Sequence, residues 1–361
     1  MTHDDSGQEP VSDFVAVIPA GGIGSRLWPL SQPHRPKFLI DLLGSGTTLI
    51  QDTVARLAPV AGETLVVTGE RHAPAVAQQL PDLEASALLT EPSPRDSMAA
   101  IALAAAVIEH RHGERIMGSF AADHVIPDAD AFRETVRTAI AAARTGKVVT
   151  IGIEPTGPSS AFGYIKAGAP LPEVPGVFQV EAFTEKPEED TAARMLAAGG
   201  YTWNAGMFVV STTVLLNHLA TLQPTLEAGV REIAAAWDGP DRADVLTRVW
   251  PTLTKIAIDH AIAEPVAASG GVATLPGSFE WHDVGDFDSL AHLLEADASG
   301  TLASQRTAAV AAVDSESPVV IGGTKPVAVV GIDDAVIVET DEAILVTRRS
   351  VAQRVKDVRF P

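Results

Sequence analysis

Residues 14–38 read FVAVIPAGGIGSRLWPLSQPHRPKF, and this stretch decides the fold. Its apolar start, 14–18, is bounded by a proline and a glycine, which predicts a short buried strand. The glycines after the strand favour a turn whose bare N–H groups can approach an anion. Arg26 and Lys37 follow as two cations, and the prolines between them stiffen the backbone. The stretch therefore predicts a strand that leads into a phosphate-binding loop.

The loop departs from the two best-known phosphate-binding motifs. Residues 22–27 read G-x-G-x-x-L, so the third glycine of the dinucleotide fingerprint is absent. The sequence contains no G-x-x-x-x-G-K-[ST] run, which excludes a Walker-type loop. Taken alone, the glycines could equally form a turn that binds no ligand. The two nearby cations favour a phosphate-binding loop.

Composition limits the class of protein. The 361 residues are 46% hydrophobic, enough for one large α/β domain and an accessory piece. The net charge of −20 argues against nucleic acid and anionic membranes as partners, so a polyphosphate site must concentrate its cations locally. The absence of cysteine excludes disulfides and thiolate catalysis. The N-terminus does not resemble a signal peptide and no apolar run is long enough for a bilayer, so we expect a cytoplasmic protein.

Short apolar segments alternate with helical spacing through the first part of the chain. This alternation predicts an α/β fold with a doubly wound, mostly parallel sheet, in which ligands bind beyond the carboxyl ends of the strands. Glycine-broken segments at 159–183 predict an inserted antiparallel patch, and valine-rich segments beyond residue 300 predict a small β domain. The predicted organisation is a disordered N-terminus at 1–12, a main domain at 13–297 and a β-rich domain at 298–361.

The segment Ala20–Ser31, together with Arg35–Phe38, resembles the signature loop of the sugar-1-phosphate nucleotidylyltransferases. Its Leu-Trp-Pro-Leu-Ser run is most similar to that of the mannose-1-phosphate guanylyltransferases, and further motifs follow in that family's order to about residue 295. The resemblance implies a Rossmann-like catalytic domain and a β-helix-like C-terminal domain that helps to pack subunits, and hence a homodimer. It also implies a reaction of GTP with α-D-mannose 1-phosphate that forms GDP-mannose and pyrophosphate and uses Mg²⁺.

Nucleotidyl transfer depends on positioning and on neutralising charge rather than on a protein nucleophile. The resemblance gives Arg26 and Lys37 this catalytic role toward the triphosphate. It places the base and ribose against the segment 91–97, where Arg-Asp-Ser replaces the commoner Arg-Asn-Thr. A helix cap by Asp96 or Ser97 stays an open alternative. The residues expected at the nucleotide are Ala20, Gly21, Gly22, Gly24, Ser25, Arg26, Glu91, Arg95, Asp96, Ser97 and Asp123.

Two aspartates are the expected metal ligands. Asp123 follows an apolar strand predicted at 115–122, and the resemblance places Asp283 at the metal-binding aspartate of the motif W-x-D-x-G. Mg²⁺ prefers one or two such carboxylates together with phosphates and water. Residues 271–283 also have strand character, and the two aspartates could meet only if both strands end at the same edge of the sheet, as a doubly wound arrangement provides. A turn or cap role is the alternative for Asp123, whereas His124 is expected to pack beside the site and Asp286 to cap the next helix.

The sugar phosphate has its own expected set of residues. The resemblance assigns the phosphate to Lys186 and sugar hydroxyls to Glu185, in the run Phe-Thr-Glu-Lys-Pro. Asn204 could both donate to and accept from hydroxyls, and Gly163 offers a backbone amide beside Tyr164. Without the resemblance, an exposed turn would be the simpler interpretation of the Glu-Lys-Pro run.

Two alternatives to an enzyme that forms GDP-mannose stay open. Pocket-lining residues decide the base and the sugar, so the same chemistry could serve another nucleotide or another hexose 1-phosphate. A non-catalytic relative that senses sugar nucleotides could keep the fold while losing cations or carboxylates, but this chain retains all of those that the resemblance requires.

Overall fold

A computed structural model describes the chain at residues 9–294, 296, 300–303, 307 and 309–359. Contacts between Cα atoms divide it into two units. The first unit comprises the residues up to Gly21, Thr53–Ala121 and Ile126–Trp281, and the second comprises Gly22–Asp52, Ala122–Val125 and the chain from His282 onward. The loop after the first strand thus belongs with the C-terminal residues. This division differs from the predicted domain boundary at 297/298, which stays a prediction.

The first unit contains a nine-stranded sheet. Its strands are β1 (Val11–Ala20), β2 (Ala61–Gly69), β3 (Leu88–Glu91), β4 (Ile116–Ser119), β5 (Val148–Ile153), β6 (Tyr164–Pro170), β7 (Phe178–Thr184), β8 (Tyr201–Ser211) and β9 (Val272–Pro276). They lie in the order β3-β2-β1-β4-β8-β5-β9-β7-β6. The pairs β3–β2, β2–β1, β1–β4 and β5–β9 are parallel, whereas β8 is antiparallel to both β4 and β5. The predicted α/β class is confirmed, with one parallel half of the sheet and one mixed half.

The hairpin of β6 and β7 accounts for part of the mixed half. Only residues 171–177 join these strands, too few for the crossover that a parallel pair needs. The glycine-broken segment is therefore antiparallel, as predicted. Its strands nevertheless extend the main sheet instead of forming a separate patch, because β7 pairs with β9 and β6 also pairs with β8.

Ten α-helices occur in the described part of the chain. They are α1 (Leu49–Leu57), α2 (Ala73–Gln79), α3 (Asp96–His112), α4 (Ala129–Ala143), α5 (Glu189–Ala198), α6 (Thr212–Leu222), α7 (Pro224–Ala236), α8 (Arg242–Val249), α9 (Glu264–Ala268) and α10 (Phe287–Ala291). Every residue of α3 from Met98 to Ile108 is buried, because its many alanines let the sheet, α6 and α7 pack closely around it. None of the described helices is long and apolar enough to cross a membrane.

The C-terminal strands of the second unit form stacked coils. They are β10 (Leu302–Ala303), β11 (Val310–Val313), β12 (Val319–Gly322), β13 (Val327–Val330), β14 (Ala335–Glu339) and β15 (Ile344–Arg348). Leu302 pairs with Val319 and Val319 with Val336, so successive parallel strands are 17 residues apart. Val310 pairs with Val327 at the same spacing. The stacking confirms the β-helix-like domain, and the spacing is a repeat that the sequence pattern did not reveal.

The loop after β1 packs on these coils within the second unit. Leu27 and Ile40 of the loop share one apolar core with Val319 and Val336 of the coils and with Phe287 of α10. All five residues are almost fully buried. The loop is therefore held by burial of apolar side chains, which is the main favourable term in folding, and not by its prolines alone.

The predicted disorder of residues 1–12 is wrong for Val11 and Ser12, which lie in β1. The N–H of Val11 donates to the carbonyl of Val60 at 3.0 Å. The start of the sheet therefore includes residues whose polar composition did not indicate a strand. Residues 1–8 lie outside the described residues.

Candidate active site

Lys37 is the centre of a cluster of cations and carboxylates in the second unit. Only 2% of the residue is exposed, and its Nζ lies 3.0 Å from Oδ2 of Asp123. The same ammonium donates a hydrogen bond to the main-chain oxygen of Asp283. Lysine is almost never fully buried unless its charge is paired. The arrangement holds one fixed positive charge against both predicted metal ligands.

Gly24 explains how Lys37 reaches this position. Gly24 has a φ of 76°, a conformation that favours glycine. A Cβ atom on it would lie 2.7 Å from Cβ of Lys37, closer than side chains tolerate. The N–H of Lys37 donates to the carbonyl of Ile23 at 3.0 Å, which ties the two ends of the loop together. The close approach of Lys37 therefore requires a glycine at position 24, independently of any contact that Gly24 makes with a phosphate.

Asp123 and Asp283 are brought together by a short antiparallel bridge. Val125 and His282 each donate their N–H to the other's carbonyl at 3.0 Å. β4 and β9 run in the same direction, because β8 is antiparallel to both β4 and β5, and β9 is parallel to β5. They therefore end at the same edge of the sheet, as predicted, although at Ser119 and Pro276, several residues before the aspartates. The bridge lies outside the sheet and joins the segment that follows Asp123 to the residue before Asp283.

Charge keeps the Asp123 carboxylate ionised. Burial acts to raise its pKa, but the charges of Lys37 and His124 and the hydrogen bond from Lys37 outweigh burial and hold the pKa below its usual value of 3.8. His124 is buried, and its Nε2 lies 3.7 Å from Oδ1 of Asp283, so it packs beside the carboxylates as predicted. The cluster therefore presents negative charge that is available to a cation near neutral pH.

The two aspartates fit a cation site that a ligand would complete. Among the residues that the structure describes, no group of three or more histidine, cysteine, aspartate or glutamate side chains is suited to a metal. A cation on Asp123 and Asp283 would thus need further oxygen ligands from a substrate and from water, as Mg²⁺ commonly has. The two side chains are 27% and 37% exposed, so such ligands can reach them.

Arg26 lies beside Asp283, next to Gly285. A Cβ atom on Gly285 would lie 3.3 Å from Nη2 of Arg26 and 3.4 Å from Oδ2 of Asp283. Val284 precedes this glycine with a φ of 46° and is buried, an outlier for a β-branched residue. Such backbone strain clusters at functional sites. Arg26 and Lys37, the two predicted cations, therefore both lie near Asp283.

Gln353 is a member of this cluster that sequence reasoning missed. Its Oε1 accepts a hydrogen bond of 2.9 Å from Nη1 of Arg26, and its Nε2 donates to Oδ2 of Asp286. Asp286 caps α10, as predicted, and its Oδ1 accepts from the N–H of Ser289 at 2.8 Å. Because Gln353 follows Arg26 by 327 residues, no local pattern could indicate the contact. The β-rich domain therefore contributes directly to the position of a candidate active-site arginine.

Glu91 ends β3 and lies beside Gly21, and both residues belong to the first unit. A Cβ atom on Gly21 would lie 3.5 Å from Oε1 of Glu91. Glu91 is 6% exposed, and its Oε2 has no hydrogen-bond partner within the described part of the chain. Burial raises the pKa of this carboxyl from 4.5 to about 7. A buried oxygen without a donor is costly, which points to a donor supplied by a ligand.

The segment that opens α3 is bonded to backbone of the same unit. Arg95 donates to two carbonyls in the segment 251–253 at 2.6 and 3.0 Å, and Ser97 Oγ accepts from the N–H of Ile258 at 2.9 Å. Asp96 has a φ of 63°, and its Oδ1 accepts from the adjacent N–H of Ser97 at 3.0 Å. This bond is not the N2 or N3 contact of a regular N-cap. The assignment of the segment to base and ribose stays a prediction.

Glu185, Lys186 and Gly163 lie together in the first unit. Oε1 of Glu185 lies 2.7 Å from Nζ of Lys186, whereas its Oε2 is buried without a partner among the described residues. A Cβ atom on Gly163 would lie 2.6 Å from that Oε2, so a larger residue there would displace the Glu185 carboxylate. Burial lowers the pKa of Lys186, but the hydrogen bond and charge of Glu185, with the charges of Asp259 and Asp96, outweigh burial and raise it.

Asn204 joins this group through both its backbone and its side chain. Its N–H donates to the carbonyl of Gly163 at 2.8 Å, and its Nδ2 donates to Oδ1 of Asp259 at 2.9 Å. Its Oδ1 accepts from Oγ1 of Thr150 at 2.7 Å and from the N–H of Gly206 at 3.2 Å. Both lone pairs of Oδ1 are thus used, and one amide hydrogen remains for a ligand. The expectation that Asn204 also accepts from the sugar stays a prediction, and it would require one of the two bonds to Oδ1 to be replaced.

The other predicted residues differ in their surroundings. Tyr164 is fully buried, and its hydroxyl accepts from the N–H of Ser159 at 2.9 Å, so only Gly163 of that pair faces Glu185. Ala20 is buried at the end of β1, while Gly22 and Ser25 are exposed on the loop. Their predicted contacts with a nucleotide stay predictions.

Asp259 is the second residue that sequence reasoning missed. The chain around it shows only helical spacing, and a single aspartate on a helix usually faces solvent. In the structure it is half-buried and begins a π-helical turn, Asp259–Ala263, next to Asn204 and Glu185. A π-turn has no clear sequence pattern, although such turns are frequent at functional sites.

Comparison with known proteins assigns both parts of the chain to known families. A nucleotidyl transferase family profile matches residues 15–300, and a profile of the MannoseP isomerase/GMP-like β-helix domain matches 308–359. Xanthan biosynthesis protein XanB of Xanthomonas campestris pv. campestris is 38% identical over 297 residues, which are 80% of this chain and 61% of that protein. A mannose-1-phosphate guanylyltransferase of Sinorhizobium fredii is 35% identical over 297 residues, 80% of this chain and 56% of that protein.

Solved structures agree with this assignment. The crystal structure of mannose-1-phosphate geranyltransferase from Thermus thermophilus superimposes with a TM-score of 0.84 at 29% identity and covers 96% of this chain and 98% of that chain. The chain nevertheless spans only about 60% of the length of the curated relatives it matches. Nucleotidyltransferases of this family generally use a divalent metal, in keeping with the paired aspartates. The glycine loop, the carboxylate cluster and the matched profile together show that the chain belongs to the nucleotidyl transferase family.

Proposed function

We propose that the protein is a mannose-1-phosphate guanylyltransferase, which joins GTP to α-D-mannose 1-phosphate and releases pyrophosphate. The observation that carries the proposal is the buried ammonium of Lys37, held 3.0 Å from Asp123 and bonded to the backbone of Asp283. A lysine and paired carboxylates at a glycine loop suit a triphosphate with its cation. The named relatives and the β-helix-like domain favour GDP-mannose as the product.

The proposed reaction is a displacement at the α-phosphorus of GTP. An oxygen of the mannose 1-phosphate forms a bond to that phosphorus, the bond to the bridging oxygen breaks, and pyrophosphate leaves with the electron pair. Little covalent chemistry is required of the protein, so rate depends on alignment and on charge neutralisation. Lys37 and Arg26 would neutralise the charge that shifts toward the leaving pyrophosphate.

The metal we propose is Mg²⁺, held by Asp123 and Asp283. When bound, it would supply positive charge to the phosphate oxygens and fix their orientation. The hard carboxylate oxygens and the absence of cysteine suit this ion better than a soft metal. Lys37 keeps Asp123 deprotonated, so the ligand is in the form that binds a cation.

In the first unit, Lys186 would bind the sugar phosphate and Glu185 would accept a hydrogen bond from a sugar hydroxyl at its unpartnered Oε2. Asn204 would donate its one remaining amide hydrogen. Glu91, also unpartnered at Oε2, would accept from a base that carries N–H donors, and guanine has them on N1 and on the exocyclic N2. Each role uses a hydrogen-bonding capacity that the described protein atoms leave unused.

We also propose that the protein forms a homodimer through the β-helix-like domain. Ile344 and Val346 lie on β15, at the edge of the four-stranded sheet, and are 65% and 66% exposed. Exposed apolar side chains on an edge strand favour association. Light scattering of the purified protein tests this proposal, and a monomer at micromolar concentration would contradict it.

A pyrophosphate-release assay tests the function. We expect turnover with GTP and mannose 1-phosphate in the presence of Mg²⁺, and much less with UTP, dTTP or glucose 1-phosphate. Lys37→Met should lower turnover by at least about 100-fold, as loss of one preorganised charge at a developing anion does. Lys325→Met, at an exposed lysine of the same unit, is the matched control. Preference for another nucleotide would reassign the substrate, and binding without pyrophosphate release would favour a sensor.

A further inference from the structure

The sugar-side residues of the first unit are held by one helical turn that the motifs do not include. Asp259 accepts from Nδ2 of Asn204 at 2.9 Å. Glu264 accepts from the main-chain N–H of Glu185 at 3.1 Å. We propose that Asp259 is a positioning residue for the hexose phosphate, which fixes the Asn204 amide so that its remaining hydrogen faces the sugar. This inference rests on the proposed function.

A π-helical turn makes the two contacts possible. Asp259 and Glu264 are five residues apart, a spacing that places side chains on different faces of an α-helix. Here the N–H of Glu264 donates to the carbonyl of Asp259, the i to i+5 bond of a π-turn. This bond widens the turn, and both carboxylates then reach residues of the same sugar-side group, Asn204 and Glu185. The turn therefore contacts Asn204 through Asp259 and the backbone of Glu185 through Glu264.

The orientation of the Asn204 amide depends on its three partners. Thr150 and Gly206 both donate to Oδ1, and Asp259 accepts from Nδ2. A flipped amide would set its NH₂ group against the N–H donor of Gly206 and its oxygen against the Asp259 carboxylate, whereas the Thr150 hydroxyl could adapt to either orientation. Gly206 and Asp259 therefore fix one orientation. Without Asp259, nothing described would hold Nδ2, and the side chain could turn away from the ligand.

The surrounding charges agree with a ligand that carries hydroxyl groups and a phosphate. Burial, and next the charge of Glu185, raise the pKa of Asp259 to about 6, while Lys186 and His260 act to lower it. Glu185 keeps Oε2 buried without a partner among the described atoms. Two carboxylates beside one lysine can accept from hydroxyls while the lysine binds a phosphate. A sugar 1-phosphate has both groups.

The first test is independent of catalysis. The chain has two asparagines, Asn204 and Asn217, so protein labelled with ¹⁵N-asparagine shows two side-chain NH₂ groups, and the exposed Asn217 is an internal reference. We expect one Asn204 proton to exchange with solvent at least about tenfold more slowly than those of Asn217. Asp259→Ala should abolish this protection, whereas His260→Ala, on the same turn, should leave it. Protection that survives Asp259→Ala would overturn the proposal.

The second test is kinetic. Asp259→Ala should raise KM for mannose 1-phosphate about tenfold, as loss of one oriented hydrogen bond does, with KM for GTP unchanged. Asp259→Asn keeps an acceptor for Asn204 and should stay within about threefold of wild type. Equal increases in both KM values, or no rescue by asparagine, would refute positioning. An inactive wild type would refute the proposed function instead, and the exchange result would still decide the role of Asp259.

Discussion

Replacing Glu91 with glutamine should change how stability depends on pH. The pKa of the Glu91 carboxyl rises from 4.5 to about 7 on folding because the group is buried, with 6% of the residue exposed. Between these two values the folded state binds the proton and the unfolded state does not, so stability falls as pH rises. The interval corresponds to about 3 kcal/mol, most of which is lost between pH 5 and pH 8.5.

Glu91→Gln removes this titration. The free energy of unfolding of the variant, measured relative to wild type, should therefore rise by about 2 to 3 kcal/mol from pH 5 to pH 8.5. Urea unfolding followed by circular dichroism at several pH values measures the difference. At pH 5 the stability difference between Glu91→Gln and wild type also includes the cost of burying an amide that lacks a hydrogen-bond partner, but this cost does not depend on pH.

Glu84→Gln is the control, because Glu84 is exposed in the same unit and should follow wild type at every pH. A stability difference between Glu91→Gln and wild type that stays constant from pH 5 to pH 8.5 would refute the reasoning. That result would mean that Glu91 is ionised in the folded protein throughout this range, and its buried oxygen would then need a donor that the described residues do not supply.

The cluster of the second unit makes further predictions. Asp123→Asn and Asp283→Asn should each lower turnover by at least about 100-fold. Asp123→Asn should also lower the free energy of unfolding by about 2 kcal/mol, because Lys37 loses its carboxylate partner. Asp283→Asn should lower it less, because the main-chain oxygen of residue 283 still accepts from Lys37. Equal losses of stability in urea unfolding would contradict this difference. Gly24→Ala should cost about 2 kcal/mol, because of its φ of 76° and a contact of 2.7 Å with Lys37. Gly22→Ala, where no described atom lies within 4 Å of the new Cβ, should cost far less, and equal melting temperatures would contradict the contact.

Local pattern was sufficient for the elements that lie near one another in sequence. The run 14–18 indicated a buried strand, because apolar runs and glycine or proline boundaries act locally. Asp283 was recognisable through the resemblance to the family motif W-x-D-x-G, and the two loop cations through their place beside the glycine turn. Residues 11–12 were misjudged, since a polar segment gains its strand conformation from pairing with β2.

Partners distant in sequence could not be predicted. Gln353 reaches Arg26 because the loop after β1 and the segment around Gln353 pack into the same apolar core of the second unit. Asp259 reaches Asn204 only because a π-turn widens its helix. The saturated oxygen of Asn204 depends on Thr150, on a different strand. Each contact requires long-range packing, about which a local pattern carries no information.

The sequence by itself determined that this chain has an α/β sheet, a phosphate-suited glycine loop and a set of carboxylates and cations in the order of a known family. Only the tertiary structure decided that Lys37 is buried against two aspartates, that Glu91 and Glu185 keep unpartnered oxygens among the described residues, and that a π-turn holds Asn204. The physical reason is that residue type fixes which charges and hydrogen bonds are available. Burial and distance, which folding alone sets, fix which of them are already used.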